Sequence, residues 1–259
     1  MKTSWGLGLI LLGMAGIVNA AEPADLSKDN LCQISTINAL LAGRFEGICP
    51  CAELTRYGDT GLGTFEALDG EMVILDGSIY RLRSDGSVQV AGPMAMTPFA
   101  NVTFLEPDQS FELQGTYSME QLQKEINQRL VNRNIFYAIR VDGVFDSIKI
   151  RSIPKQSKPY PKLVDVVKHQ SVFNLNTVKG TLVGFWCPEF VQAINIPGFH
   201  FHFLSDDRKH GGHVLDCCLK KGTVILDMTP MFSMQLPTNG FGNLDLSGSH
   251  SLELNAVEK

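Results

Sequence analysis

The residues best suited to chemistry lie in "PGFHFHFLSDDRKHGGHVLD", residues 197–216, where four of the chain's six histidines fall between positions 200 and 213. If "GFHFHFL" is a strand, the alternation of side chains puts His200 and His202 on one face and Phe199, Phe201 and Phe203 on the other. "SDDRKHGG" carries turn residues, so "HVLDCCL" is expected to return as an antiparallel partner and bring His213 across from the first pair. Three converging imidazoles are the ligand set of a catalytic zinc with an open coordination position. Nickel, cobalt, manganese and iron accept the same donors. His210, beside Arg208 and Lys209, is read as a solvated or substrate-side residue, and the isolated His169 and His250 as ordinary polar residues. A metal storage or sensor protein would use the same three ligands, so ligation alone does not establish catalysis.

A catalytic centre also needs an acid or base and a group that binds an anion. Glu71 opens "EMVILDG" directly after an Asp-Gly pair; a carboxylate at a strand start can reach into a site, although a hairpin surface glutamate is the ordinary reading. In "DSIKIRSI", period-two alternation places Lys149, Arg151 and Ile153 on one face and Ile148, Ile150 and Ser152 on the other. Arg151 there offers a planar fork of donors to a carboxylate, against the ordinary reading of a surface cation in an ion pair. Asp206 and Asp207 are turn formers, and Asp216 is a candidate outer partner for a ligating histidine.

The elements that must position these residues begin after the first twenty. Lys2, the apolar run "GLGLILLGMAGIV" and the small residues of "VNA" form a signal-peptide pattern with cleavage expected before Ala21. The expected destination is the periplasm or the medium, where the six cysteines (Cys32, Cys49, Cys51, Cys187, Cys217, Cys218) can oxidise. Adjacent or near-adjacent pairs would be strained. Cys32 with Cys49 or Cys51, and Cys187 with Cys217 or Cys218, are therefore the natural pairings, with buried free thiols as the other reading. The net charge of −5 and the lack of a basic stripe argue against nucleic acid or anionic lipid as partners.

Three Asp-Gly pairs at Asp69, Asp76 and Asp85 separate short runs rich in Val, Ile and Tyr, a repeated hairpin signature. "TINALLAGRFEG" reads as a short helix. In "SMEQLQKEINQRL", Ser118 is the expected N-cap of a helix with a stripe of Met119, Leu122, Ile126 and Leu130. Residues 135–153 read as strand, turn, strand, and the final nine residues as a short closing helix. Hairpins with few helices point to an α+β or barrel-like sheet fold over a parallel βαβ one. The domain expected over residues 21–259 has two sub-lobes divided near residues 155–180.

Three stretches together carry a family resemblance: "GTFEALDGEMVILDG" at 63–77, "IRSIPKQSKPYPKL" at 150–163 and "GFHFHFLSDDRKHGGHVLD" at 198–216. In their order and spacing the chain resembles acetolactate decarboxylase over essentially the whole region after the signal pattern. The resemblance implies an α+β fold of two mixed-sheet lobes, one barrel-like, with few helices and the metal site between the lobes, often in a homodimer. It implies that His200, His202 and His213 bind zinc, that Glu71 and a C-terminal glutamate reach the metal site, and that Arg151 faces the substrate. Glu258 matches that glutamate better than Glu253. It also implies decarboxylation of 2-acetolactate to (R)-acetoin without an organic cofactor. The metal would chelate the C2 hydroxyl and C3 carbonyl oxygens and stabilise an enediolate. Another zinc-dependent hydrolase or lyase, or an exported metal-binding protein without activity, is the competing reading.

Overall fold

The computed structural model of the protein describes Met1, residues 28–246 and residues 250–258. The signal-peptide pattern at residues 1–20 lies outside the described residues, Met1 apart. The first half of the chain builds β1 (Asn30–Ile34), α1 (Ile37–Leu41), β2 (Cys49–Pro50), α2 (Cys51–Leu54), β3 (Thr60–Thr64), β4 (Glu71–Leu75), β5 (Ser78–Leu82), β6 (Val88–Val90), β7 (Met96–Thr97) and β8 (Phe99–Thr103). The second half builds β9 (Gln109–Ser118), α3 (Met119–Asn127), β10 (Phe136–Ser152), α4 (Leu163–Val166), β11 (Ser171–Cys187), β12 (Gly198–Ser205), β13 (Gly211–Thr229), β14 (Met231–Gln235) and α5 (Ser251–Glu258).

Two sheets carry the architecture. A seven-stranded sheet runs β14-β1-β8-β3-β4-β5-β6, and a five-stranded sheet runs β10-β11-β12-β13-β9, with β10 also paired to β13. The first is mixed, because β14 lies parallel to β1 while its other neighbours are antiparallel. The chain changes sheet between Thr103 and Gln109, then returns with β14 to lie beside its own beginning. Val73, Leu75 and Leu82 of one sheet pack against Val183 and Leu204 of the other, and this apolar seam holds the two together.

The α+β class with few helices holds, but the barrel-like lobe does not. Among the described residues, the seven-stranded sheet ends in free edges at β14 and β6, and β9 is the free edge of the other. β12 meets β13 through only three residue pairs, His202–His213, Phe203–Gly212 and Leu204–Gly211. The second sheet therefore folds over at that corner without closing into a barrel.

Local chemistry sets the β4–β5 turn and the start of α3. Asp76 and Gly77, both at positive φ, join Leu75 to its partner Ser78 in a two-residue hairpin. Ser118 caps α3 reciprocally with Gln121, and Leu122, Ile126 and Leu130 bury against the second sheet. Asp142-Gly143 is no turn, contrary to the expectation for residues 135–153. β10 runs through it unbroken, with Gly143 opposite Gly180 on one side and Gly222 on the other. A Cβ at Gly143 would stand 2.7 Å from the Lys221 carbonyl oxygen, so this glycine serves a close crossing of strands. Asp142 is occupied by Arg140 Nε and Thr181 Oγ1, at 2.7 and 2.6 Å.

The expected disulfides do not form. All six cysteines are free and five are buried, and burial pushes the thiol of Cys49 up to about 12 and that of Cys187 higher still. Cys32, Cys49 and Cys51 share one core cluster, while Cys187 and Cys217 belong to different ones, which separates the second expected pair.

Asp227, near the end of β13, is buried and accepts a hydrogen bond from the Glu106 amide at 3.1 Å. Burial, reinforced by Asp108, Asp29 and Glu106, raises its pKa to about 7. Between the unfolded value near 4 and this one, the folded state holds a proton that the unfolded state has lost, so stability falls as pH rises. Asp227→Asn is expected to gain about 1–3 kcal/mol over the parent at pH 8 and little at pH 4. Urea unfolding at the two pH values reads this directly.

Candidate active site

β12 behaves as its alternation dictates. Phe201 and Phe203 enter the core of the second sheet, and the rings of Phe199 and Phe201 stack at 5.8 Å. His200 and His202 point the other way, toward the first sheet, and β13 brings His213 level with His202. The three rings lie with centroids 5.0–5.3 Å apart, and one nitrogen from each lies within 4.8 Å of the others. All three are buried.

His213 also stands opposite Arg151 of β10, so one rung of the sheet supplies Arg151, His213 and His202. The glycine before His213 makes the crossing possible, because a Cβ at Gly212 would come within 2.5 Å of the Arg151 carbonyl oxygen. Glu71 enters from the facing sheet at the start of β4. Its Oε1 lies 3.2 Å from Arg151 Nη1 and its Oε2 3.8 Å from His202 Nε2. The next residue holds His202 in place, since its Nδ1–H donates to the Met72 carbonyl at 2.8 Å and leaves Nε2 free to ligate.

The C-terminal helix closes the site. Arg151 Nη2 donates to the Val257 carbonyl at 3.1 Å, and Glu258 Oε2 lies 3.8 Å from both His200 Nε2 and His213 Nε2. Glu253 is turned outward, bound to Lys162 and His250. Glu258, not Glu253, is the glutamate that the fold brings to the histidines.

Burial dominates the electrostatics. It drives all three imidazoles well toward the neutral form, His202 to about 3, with Arg151 adding to the effect. It raises Glu71 to about 6 and Glu258 to about 7, with Arg151 opposing in both cases and Glu71 reinforcing it at Glu258. Neutral imidazoles are the form that binds metals. His200 Nε2 and His213 Nδ1 are 3.1 Å apart, near the roughly 3.3 Å that separates two nitrogens on a tetrahedral zinc. With the outer partner at Met72, this donor set fits a divalent cation.

Other candidates from the histidine stretch stay outside. His210 is exposed, and Asp206 and Asp207 lie in the exposed turn, where Asp207 accepts from Ser205 Oγ and the Lys209 amide. Asp216 is exposed and accepts from the Cys217 amide, so the outer partner comes from a backbone carbonyl that no side-chain pattern reveals. Sequence reasoning also missed the apolar wall beside the histidines, including Ile37, Leu40, Phe99 and Leu163. Their types are those of any core residue.

The model of the alpha-acetolactate decarboxylase family matches residues 31–248, most of the chain. The chain belongs to that family. It is 44% identical over 234 residues to the alpha-acetolactate decarboxylase of Methanosarcina mazei, covering 90% of this chain and 81% of that protein. Against the Bacillus subtilis family member identity is 40% over 223 residues, covering 86% and 88%. A crystal structure of alpha-acetolactate decarboxylase from Bacillus subtilis strain 168 superposes with a TM-score of 0.87 at 38% identity, covering 88% of this chain and 99% of that one. The family membership extends to both sheets and all three histidines, which lie inside the matched region. Glu258 lies beyond residue 248, so its place at the site rests on the geometry of α5.

Zinc titration by calorimetry tests the donor set. His202→Ala is expected to weaken binding by more than the roughly 10- to 100-fold that loss of an outer partner costs. Glu253→Gln, at the outer face of α5, is expected to leave the affinity unchanged.

Proposed function

We propose that this protein decarboxylates 2-acetolactate to (R)-acetoin and carbon dioxide, with a divalent metal, zinc by preference, held by His200, His202 and His213. The observation that carries the reading is the enclosure of three neutral imidazoles, one guanidinium and two carboxylates of raised pKa in a chain of this family. When bound, the metal supplies Lewis-acid withdrawal of the electron pair that carbon dioxide leaves behind.

The chain's own groups have separate tasks. Arg151 uses Nη1 on Glu71 and Nη2 on the Val257 carbonyl, and its Nε is buried with no partner among the described residues. A free donor on a rigidly held fork is the group to orient a substrate carboxylate. Glu71 keeps the fork in place and balances its charge. Glu258, with a pKa about 7 and its carboxyl beside His200 and His213, is the proton donor to C2. Its fixed side of approach sets the hand of the product. The competing metal-binding reading leaves Arg151 and both carboxylates without a task, and their burial would cost stability for nothing.

Purified protein supplied with 2-acetolactate is expected to release carbon dioxide and one acetoin enantiomer on a chiral column. Activity should vanish after chelation and dialysis and return with zinc. Metal uptake without turnover would end the enzymatic reading.

Arg151→Lys keeps the charge but loses the fork, and should lower kcat/KM by about 10²–10³ with metal content unchanged. Because the protonated form of Glu258 is the donor, activity should fall as pH rises, with an inflection at or below about 7. Glu258→Gln should lose most activity and this alkaline limb with it.

A further inference from the structure

Two cavities meet at the histidines, and they differ in size and chemistry. The inner one is about 40 Å³ and contains Glu71, Arg151 and all three histidines. Its far wall is apolar: Ile37 and Leu40 of α1, Phe99 of β8, and Leu163 of α4. The outer one is about 440 Å³ and carries polar groups from Gln123, Gln192 and Asn255. Ile196, His200, His213 and Glu258 line both, so these four form the shared boundary.

The inner cavity has room for about three water molecules. A five-carbon acid with four oxygens is several times larger, so it cannot lie wholly inside. A 2-hydroxy-3-oxo acid carries one alkyl group on C2 and another on the C3 carbonyl. With the reacting carbons at the shared boundary and the carboxylate on Arg151, the two alkyl groups diverge, one inward and one toward the outer cavity.

We infer that the substrate straddles the boundary and that Ile37, Leu40, Phe99 and Leu163 form a size-limiting alkyl pocket for one of its two alkyl groups. This rests on the decarboxylase reading. The wall has little freedom to yield, because its four residues are buried and pack in one cluster with Phe45 and Val166. The outer cavity imposes no such limit. Selectivity is thus asymmetric: lengthening one alkyl group is rejected, and lengthening the other is accepted.

The test compares 2-acetolactate with two homologues, one carrying propyl in place of methyl at C2 and the other carrying propyl on the C3 carbonyl. Each kcat/KM is divided by that for 2-acetolactate on the same preparation, so the fraction of folded enzyme cancels. Wild type should discriminate against one homologue at least about tenfold more than against the other. Leu163→Ala should raise the ratio for the rejected homologue at least about tenfold and leave the other within about twofold. Ile37→Val, a milder change to the same wall, should move it in the same direction. Equal rejection of both homologues, or a rejected one that neither variant rescues, would overturn the pocket assignment. Failure of wild type to turn over 2-acetolactate itself would instead sink the decarboxylase reading.

Discussion

His213 is in register with Arg151 on one side and His202 on the other, and the site depends on that single rung. Strand pairing fixes the rung to the nearest residue, because a slip of one position would turn each of these side chains to the opposite face. The antiparallel pairing of β10 with β11 holds one register along its length, whereas its pairing with β13 shifts three times, and the last shift, between Lys149 and Ile150, is the one that sets His213 opposite Arg151. Phe201 and Phe203 anchor the other face of β12 in the core. The histidines therefore converge through strand pairing and core packing alone.

The rung alone would be a set of donors on one sheet. What encloses it is the seven-stranded sheet laid across it, which brings Glu71 and the Met72 carbonyl from adjacent positions of β4. Enclosure also removes water, and that turns the imidazoles neutral while raising the pKa of both carboxylates toward the neutral range. Burying Arg151 with Glu71 costs desolvation that the pair's attraction does not fully offset in general. The tolerance of that cost, together with a guanidinium nitrogen that has no partner among the described residues, is what a binding site for an anionic substrate requires. The C-terminal helix completes the arrangement through the Val257 carbonyl and Glu258, far along the chain from every other site residue.

Elements governed by neighbours along the chain are legible in the sequence. The Asp76-Gly77 hairpin, the Ser118 cap, the apolar stripe of α3 and the opposite faces of β12 all follow from period and turn chemistry. The same rules misread Asp142-Gly143, where an Asp-Gly pair sits in the middle of a 17-residue strand. There the glycine answers to the backbones of two neighbouring strands, which local pattern does not contain. The barrel and the disulfides failed for a related reason. Closure depends on how far β12 and β13 pair, and thiol pairing on which core cluster each cysteine joins.

The sequence by itself marked the three histidines by type and spacing and offered Arg151 and Glu71 as candidates, while the C-terminal glutamate came from the family resemblance alone. Only the tertiary structure decided that Glu258 and not Glu253 meets the histidines, that a backbone carbonyl orients His202, and that an apolar wall narrows the space beside them. Spacing along a strand specifies a side chain's direction. Distances between strands of different sheets, burial and the volume left between them arise only when the whole chain packs.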